Sequence, residues 1–203
     1  MRKRQGFTLV EVMISLGVMT VGALALFGMQ QQTTRANVHA RTLTVASQIA
    51  QNVIERLKMD SLGWTSVSGL PATDLARSPL IGRITAGGAF GQFVTLPAVA
   101  GLRPLSNAFD FYGADVDITG GTPAELARVY YCASYRLSWV YTTNTAMRAD
   151  VRVWWSKEAP TRDITTDFPL CADNNVSLNP GGGQYDNYHV VYLSTVLRPM
   201  STL

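Results

Sequence analysis

The sequence predicts an α+β fold in which a long N-terminal α-helix packs on an antiparallel β-sheet. Residues 7–59 contain no proline and run from an apolar stretch into an amphipathic one, which is typical of one continuous helix. Three later segments alternate apolar and polar residues, which is typical of strands with a buried face. A helix with an apolar stripe and a sheet with an apolar face can cover each other, and this pairing gives the fold class.

Length and composition limit the kinds of protein that this chain can be. Its 203 residues fit one domain with an appendage, and the 15% of charged residues is low, which hints at a membrane-embedded stretch. Three of the 17 cations are Arg2, Lys3 and Arg4, and the other 14 balance the 14 anions, so we expect no nucleic-acid partner. Two cysteines and two histidines are too few for a Cys/His metal site, and we expect neither a metal nor another cofactor.

The first element is a membrane segment behind a short basic leader. Residues 7–28 carry one charge, on Glu11, and as a helix they would span about 33 Å, close to the roughly 30 Å of a bilayer core. The cations of residues 1–6 predict that the N-terminus stays in the cytoplasm and that the head crosses the membrane. A cut after the small residue Gly6 would remove residues 1–6 and leave the transmembrane helix on the protein.

Glu11 is the unusual residue of this segment, because a carboxylate inside a bilayer costs about 2.5–3.5 kcal/mol on insertion scales. One interpretation is that Glu11 lies at the interface and stays hydrated. The other begins with a cut after Gly6, which frees the amine of Phe7 about 6 Å along the helix from Glu11. Stacked subunits could then pair Glu11 of one copy with the Phe7 amine of the next, which would compensate both charges.

The segment Gly6-Phe7-Thr8-Leu9-Val10-Glu11-Val12, after a basic leader and before an apolar helix, resembles the class III signal of type IV pilins and type II secretion pseudopilins. The resemblance implies the type IV pilin fold, with the first half of the long helix in the membrane. It also implies that a prepilin peptidase cleaves after Gly6 and methylates the amine of Phe7. The same resemblance gives Glu11 the role of guiding subunit docking.

Further residues are similar to the minor pilins called type IV pilus modification protein PilV, over about 60 of the 203 residues. The similar positions are Val18, Val21, Gly22, Leu24, Gly28, Gln30, Ala46, Ala50, Glu55, Arg56, Lys58 and Met59. This likeness implies a structural subunit, not an enzyme, that joins other minor pilins and the major pilin, primes pilus assembly, and sits at the pilus tip.

The same likeness implies the partners and the location of the chain. The implied partners are prepilin peptidase, the inner-membrane assembly platform, membrane lipid before assembly, and a tip adhesin. The chain would lie in the bacterial inner membrane and then in the extracellular pilus, which would link it to twitching motility.

Residues 29–60 form the amphipathic second half of the helix, and residues 61–203 form the head. Residues 61–128 are rich in glycine, proline, serine and threonine and are interpreted as a variable loop, with short strands at Gln92–Leu96 and Asp115–Ile118. The stripe that should face the sheet consists of Ala36, Leu43, Ala46, Ala50, Val53 and Leu57.

The three clear strands are Arg128–Thr142, Arg148–Ser156 and Tyr188–Leu197, with a hairpin loop at Thr142–Thr145. The alternation predicts that one face of the first strand carries Val129, Tyr131, Ala133, Tyr135, Leu137, Trp139 and Tyr141. Aromatic residues on these strands favour core packing over a partner surface; they are Trp139, Tyr141, Trp154 and Trp155.

Cys132 and Cys171 are the only cysteines of the chain. A head outside the cytoplasm would allow them to form a disulfide that closes the loop 132–171, with two free thiols as the alternative. The resemblance to the disulfide-bounded C-terminal region of pilins implies that they pair. The loop 157–187 holds four aspartates that could bind Ca²⁺, but it lacks the EF-hand pattern, so we expect a solvated loop.

Three other functions remain as alternatives to a minor pilin. A minor pseudopilin of a type II secretion system would share the N-terminal signal. An adhesin or DNA receptor would show a basic or aromatic exposed patch. A membrane enzyme is the least favoured, because the sequence contains no nucleophile elbow, Walker A loop, zinc-protease motif or C-x-x-C pair.

Overall fold

The computed structural model describes residues 8–65, 78–86, 90–96, 107–118, 123–140, 146–157, 171 and 188–199. Within these ranges the chain forms three helices and six strands and confirms the predicted α+β class. The helices are α1 (Leu9–Ser61), α2 (Pro79–Ala86) and α3 (Pro123–Leu126). The strands are β1 (Val94–Thr95), β2 (Ala108–Asp110), β3 (Asp115–Val116), β4 (Val129–Trp139), β5 (Met147–Ser156) and β6 (Tyr188–Leu197).

The strands form one antiparallel sheet in the order β3-β2-β4-β5-β6, and β1 also pairs with β4. Strands β4 and β5 pair from Cys132 opposite Trp154 to Trp139 opposite Met147. Strand β6 pairs with β5 over its whole length. The three predicted strands are therefore neighbours in the sheet, and the predicted bounds of β6 are confirmed. The predicted hairpin loop at Thr142–Thr145 lies outside the described residues.

The chain divides into two compact units, Met1–Thr42 and Leu43–Leu203. In the first unit, the described helical residues before Thr42 are exposed, apart from the partly covered Ala23. Helical residues in the second unit pack on the sheet face that carries Ala133 and Val151, and the buried helical positions are Ala46, Ile49, Ala50, Val53, Ile54 and Leu57. This packing buries the apolar stripe, as an amphipathic helix requires.

The predicted stripe is correct at Ala46, Ala50, Val53 and Leu57 and wrong at its beginning. Ala36 and Leu43 are exposed, whereas Thr42 is buried. In the second unit the contact face follows the 3.6-residue helical period, so Leu43 is turned about 60° from the buried Ala46, a direction that leaves it exposed. For the same reason the buried stripe also contains Ile49 and Ile54, which the prediction lacked.

Within the described residues, strands β4 and β5 are covered on both faces only near Cys132 and Trp154, where a second cluster packs. The face towards α1 carries Tyr131, Ala133, Tyr135 and Leu137, as predicted. Val129 does not share this face, because the register shifts at Phe109/Asp110, and it packs in a second cluster. That cluster lies on the opposite face and consists of Ala108, Val116, Val129, Cys132, Trp154 and Cys171.

The predicted variable loop 61–128 contains small elements that the sequence analysis did not predict, namely α2, β2 and α3. Both short helices begin at a proline, which suits the first helical position because its missing N–H would have no partner there. Predicted strands Gln92–Leu96 and Asp115–Ile118 form only over two residues each, as β1 and β3. Each of these short strands is held by pairing within the sheet.

Candidate functional site

Thr8 and Glu11 define the start of helix α1. The Thr8 carbonyl oxygen accepts hydrogen bonds from the backbone N–H of Glu11 at 3.1 Å and of Val12 at 3.3 Å. The Thr8 Oγ1 also accepts from the Glu11 N–H at 3.4 Å. Thr8 is therefore the N-cap, and Glu11 occupies the third helical position of the Thr-x-x-Glu capping pattern. This position also favours a carboxylate, because the N-terminus of a helix carries partial positive charge.

The other polar side chains of the apolar stretch bond to the backbone of their own helix. Ser15 Oγ donates to the Val12 carbonyl at 2.9 Å, and Thr20 Oγ1 donates to the Gly17 carbonyl at 2.8 Å. An ionised carboxylate has no proton to donate and cannot use a carbonyl in this way. Among the described residues, the Glu11 carboxylate forms no hydrogen bond and no ion pair. Any donor to this carboxylate therefore comes from outside this part of the chain.

The surface around Glu11 is apolar on every side of the helix. Helix α1 is the one described helix that is long and apolar enough to cross a membrane. Successive residues point about 100° apart, so Leu9, Val10 and Val12 already face three directions. The large apolar side chains from Leu9 to Met29 are 46 to 76% exposed; they are Leu9, Val10, Val12, Met13, Ile14, Leu16, Val18, Met19, Val21, Leu24, Leu26, Phe27 and Met29. Such a helix is suited to lipid or to other apolar helices.

The structure describes Glu11 but not Gly6 and Phe7. The predicted cleavage and methylation sites therefore lie outside the described residues. The pairing of Glu11 with the Phe7 amine of another copy stays a prediction.

Cys132 and Cys171 lie at disulfide distance, with their Cα atoms 5.3 Å apart and a separation of 39 positions in sequence. Both are buried beside Trp154. Asn107 links Cys171 to strand β4, because its Nδ2 donates to the Cys171 carbonyl and its backbone carbonyl accepts from the Ala133 N–H. The bridge would thus connect strand β4 to the segment between β5 and β6.

A charged cluster that the sequence analysis missed is centred on Asp150 of β5. Asp150 accepts hydrogen bonds from Arg136, Arg148 and Ser194. Burial alone would raise the pKa of Asp150, but the bonds from Ser194, Arg136 and Arg148 outweigh it, so the pKa is lowered. The side chains come from three adjacent strands, so the cluster depends on the strand register and could not be predicted without it.

Asp60, near the end of α1, caps helix α2. Its Oδ2 accepts from the Ile81 N–H at 2.8 Å, and Ser78 Oγ donates to its carbonyl at 2.8 Å. Burial raises the pKa of Asp60 to about 6, although the backbone N–H groups of Ile81 and Leu80 oppose this shift. The carboxyl group is therefore structural, since it holds α2 against the end of α1.

The aromatic residues of the sheet lie mainly in the core, which supports packing over a partner surface. Trp154 and Trp155 are 1% and 2% exposed, and Trp139 packs against the main core cluster. Tyr141 lies outside the described residues.

Neither histidine belongs to a candidate metal site within the described residues. His39 is exposed on α1, and His189 packs beside Trp155 with 5.3 Å between ring centroids. In the described part of the chain, no three His, Cys, Asp or Glu side chains form a group that could hold a metal ion. The aspartates of the loop 157–187 lie outside the described residues.

Residues 1–27 match the family model of the prokaryotic N-terminal methylation motif. The motif indicates a type IV pilin-like or pseudopilin protein and supports the predicted structural role, anchoring in the inner membrane, and processing by a prepilin peptidase. It does not distinguish a pilin from a pseudopilin. No curated protein and no solved structure matches the chain significantly.

Proposed function

We propose that this chain is a minor pilin, a structural subunit that is held in the bacterial inner membrane and then built into a type IV pilus. One observation carries the proposal: a methylation motif contains the beginning of an exposed helix that is apolar on every side and holds one carboxylate without a described partner. Apolar side chains all round the helix favour lipid first and neighbouring helices later. The carboxylate then supplies the specific contact between subunits.

Processing creates the partner that Glu11 needs. Prepilin peptidase cleaves after Gly6, removes residues 1–6, and methylates the new amine of Phe7. In the fibre, that amine from one subunit faces Glu11 of the next, and each charge compensates the other in apolar surroundings. An unpaired carboxylate in the same place would cost about 2.5–3.5 kcal/mol, which is enough to favour one docking register.

The remaining parts of the chain serve assembly. The transmembrane stretch 7–28 holds the subunit in the inner membrane with its N-terminus in the cytoplasm, and the head 61–203 lies in the periplasm. The assembly platform lifts the subunit, which contacts the other minor pilins and the major pilin and takes a place at the pilus tip. A Cys132–Cys171 bridge would stabilise the head by about 4 kcal/mol in the chain-entropy model.

Intact mass of the membrane-extracted protein tests the processing step. We expect a chain that begins at a methylated Phe7, with two hydrogens lost at the cysteines. A product that begins at Met1 in cells with active prepilin peptidase would refute the proposal.

The alternative is a minor pseudopilin of a type II secretion system, which the methylation motif supports equally. Deletion of the gene separates the two functions. Loss of twitching motility with normal protein secretion supports the pilus, and the reverse result supports the secretion system.

A further inference from the structure

The sheet face turned away from α1 carries an ordered cluster of charges. Across strands β4, β5 and β6, Arg136 lies opposite Asp150, and Asp150 lies opposite Ser194. Arg148 precedes Asp150 by two residues on β5 and so shares its face. Val196 lies opposite Arg148 on β6.

Both guanidinium groups are held by a single buried carboxylate. Arg136 Nε and Nη2 donate to Asp150 Oδ2 at 3.2 and 2.7 Å, and Arg148 Nε donates to Oδ1 at 2.7 Å. The Asp150 side chain is 5% exposed, whereas those of Arg136 and Arg148 are 36% and 56% exposed. The trio carries one net positive charge, and the Nη1 groups of both arginines have no acceptor within the described residues.

Aromatic packing fixes the surroundings of this cluster. The Phe93 ring lies 4.7 Å from the Arg136 guanidinium and 4.1 Å from that of Arg152, which is buried and donates to Ser134. Tyr192 packs edge-on against Phe93, with 6.4 Å between ring centroids. The Arg136 guanidinium is therefore positioned by Phe93 and Asp150, and that of Arg148 by Asp150 and Ser194, before any partner arrives, which lowers the entropic cost of binding.

We propose that Arg136 and Arg148, flanked by the half-exposed Tyr192 and Val196, form a docking surface for a carboxylate-bearing segment of another pilin-like subunit. The identity of the partner as a pilin-like subunit rests on the proposed function.

The chemistry of the surface favours a protein carboxylate. Guanidinium N–H groups match the two oxygens of a carboxylate, and the excess of positive charge on the cluster calls for an anion. Half-exposed Tyr192 and Val196 add apolar area, and tyrosine and arginine are the residue types enriched in protein interfaces. A nucleic acid would instead require several cations spaced along its phosphates, and this cluster offers only two exposed guanidinium groups.

Photo-crosslinking in cells tests the proposal on the full-length chain. A benzophenone amino acid replaces Val196, which is 52% exposed and takes no part in the charged cluster. We expect an adduct with a second protein that carries an N-terminal methylation motif, joined through a peptide that contains Asp or Glu. Arg148→Gln should lower the yield of this adduct at least about fivefold.

Arg128→Gln provides a matched control for the loss of an ion pair. Arg128 is 64% exposed and pairs at 3.1 Å with Asp110, which is 7% exposed, so this change removes a similar pair elsewhere. Protease resistance of each variant checks that the head still folds. We expect Arg128→Gln to leave the adduct yield unchanged.

Four outcomes overturn the proposal: an adduct with nucleic acid or lipid, no protein adduct, an adduct with a protein that lacks the motif, or equal yields in Arg148→Gln and the parent chain. The same samples report N-terminal processing and incorporation into sheared pili. If processing and incorporation are normal while the adduct yield is the same in Arg148→Gln and the parent chain, the proposed docking surface is wrong and the minor-pilin proposal stands. If the chain is not processed, the minor-pilin proposal fails by itself.

Discussion

Gly113 lies in the turn between β2 and β3, and the structure predicts how much stability the head loses when this residue is replaced by alanine. Its φ is +83°, and a Cβ added there would lie 3.1 Å from Val45 Cγ1 and 3.6 Å from Ile49 Cγ1 on α1. An L-residue in the left-handed region costs about 1–2 kcal/mol. The contact with Val45 is closer than the usual 3.5–4.0 Å between carbons and adds about 1 kcal/mol, so Gly113→Ala should destabilise the head by about 2–3 kcal/mol.

Gly91 is the matched control, because its φ is +81° and no atom lies within 4 Å of the added Cβ. Gly91→Ala should cost only the backbone part, about 1–2 kcal/mol. Urea unfolding of the full-length protein in detergent, followed by tryptophan fluorescence, measures both costs, since all four tryptophans lie after Leu43 in the second unit. Val45→Ala should relieve part of the Gly113→Ala cost in a double-mutant cycle.

Equal costs for Gly113→Ala and Gly91→Ala would refute the packing of the β2–β3 turn on α1. Additive effects of Gly113→Ala and Val45→Ala would do the same. Either result would mean that the turn does not touch the helix at Val45.

Three further predictions concern the head. Because the pKa of Asp60 is raised to about 6, its contribution to stability is present below the ordinary pKa of 3.8 and is lost as the pH rises through 6. Asp60→Asn should therefore remove the decrease of the urea midpoint with pH in this range. The pKa of Asp150 is lowered, so its contribution to stability depends on pH in the opposite direction: it is present above pH 3.8 and is lost as the pH falls below that value. Asp150→Asn should lower the unfolding free energy by about 1–3 kcal/mol at pH 7. Cys132→Ser and Cys171→Ser should each lower the unfolding free energy by about 2–4 kcal/mol more under oxidising conditions than under reducing ones.

Each of these three has a clear contrary result. A midpoint that keeps its dependence between pH 4 and 6 in Asp60→Asn would assign the slope to another group. No loss of stability in Asp150→Asn at pH 7 would mean that the arginines do not depend on this carboxylate. If reductant does not change the unfolding free energy of the parent protein, the cysteines are not bridged.

Periodicity predicted the long elements well, because length averages out local exceptions. Helix α1 and strands β4, β5 and β6 each span enough residues for a repeat to be recognised. The N-cap at Thr8 has a sequence signal, the Thr-x-x-Glu pattern, which marks the start of helix α1. Helix α2 had a local start signal in Ser78 and Pro79 that was not used, whereas the carboxylate that caps it, Asp60, lies 21 residues before Ile81 in the sequence.

The charged cluster of β4–β6 was not predictable for a related reason. The sequence shows polar positions on three adjacent strands at Arg136, Arg148, Asp150 and Ser194, but their contacts exist only in one register. The shift at Phe109/Asp110 likewise moved Val129 to the other face, and no residue pattern marks that bulge. Glu11 could be identified from sequence because a charge within an apolar helix needs no tertiary structure to stand out.

The pairing of Glu11 with a neighbouring subunit is the central claim, and incorporation of Glu11→Ala into pili tests it most directly. Membrane and sheared-pilus fractions are blotted for the parent chain, for Glu11→Ala, and for the control Ser15→Ala, whose hydroxyl donates to the Val12 carbonyl of its own helix. The account predicts normal membrane insertion of all three and loss from the pilus fraction of Glu11→Ala alone. Normal amounts of Glu11→Ala in sheared pili would contradict it.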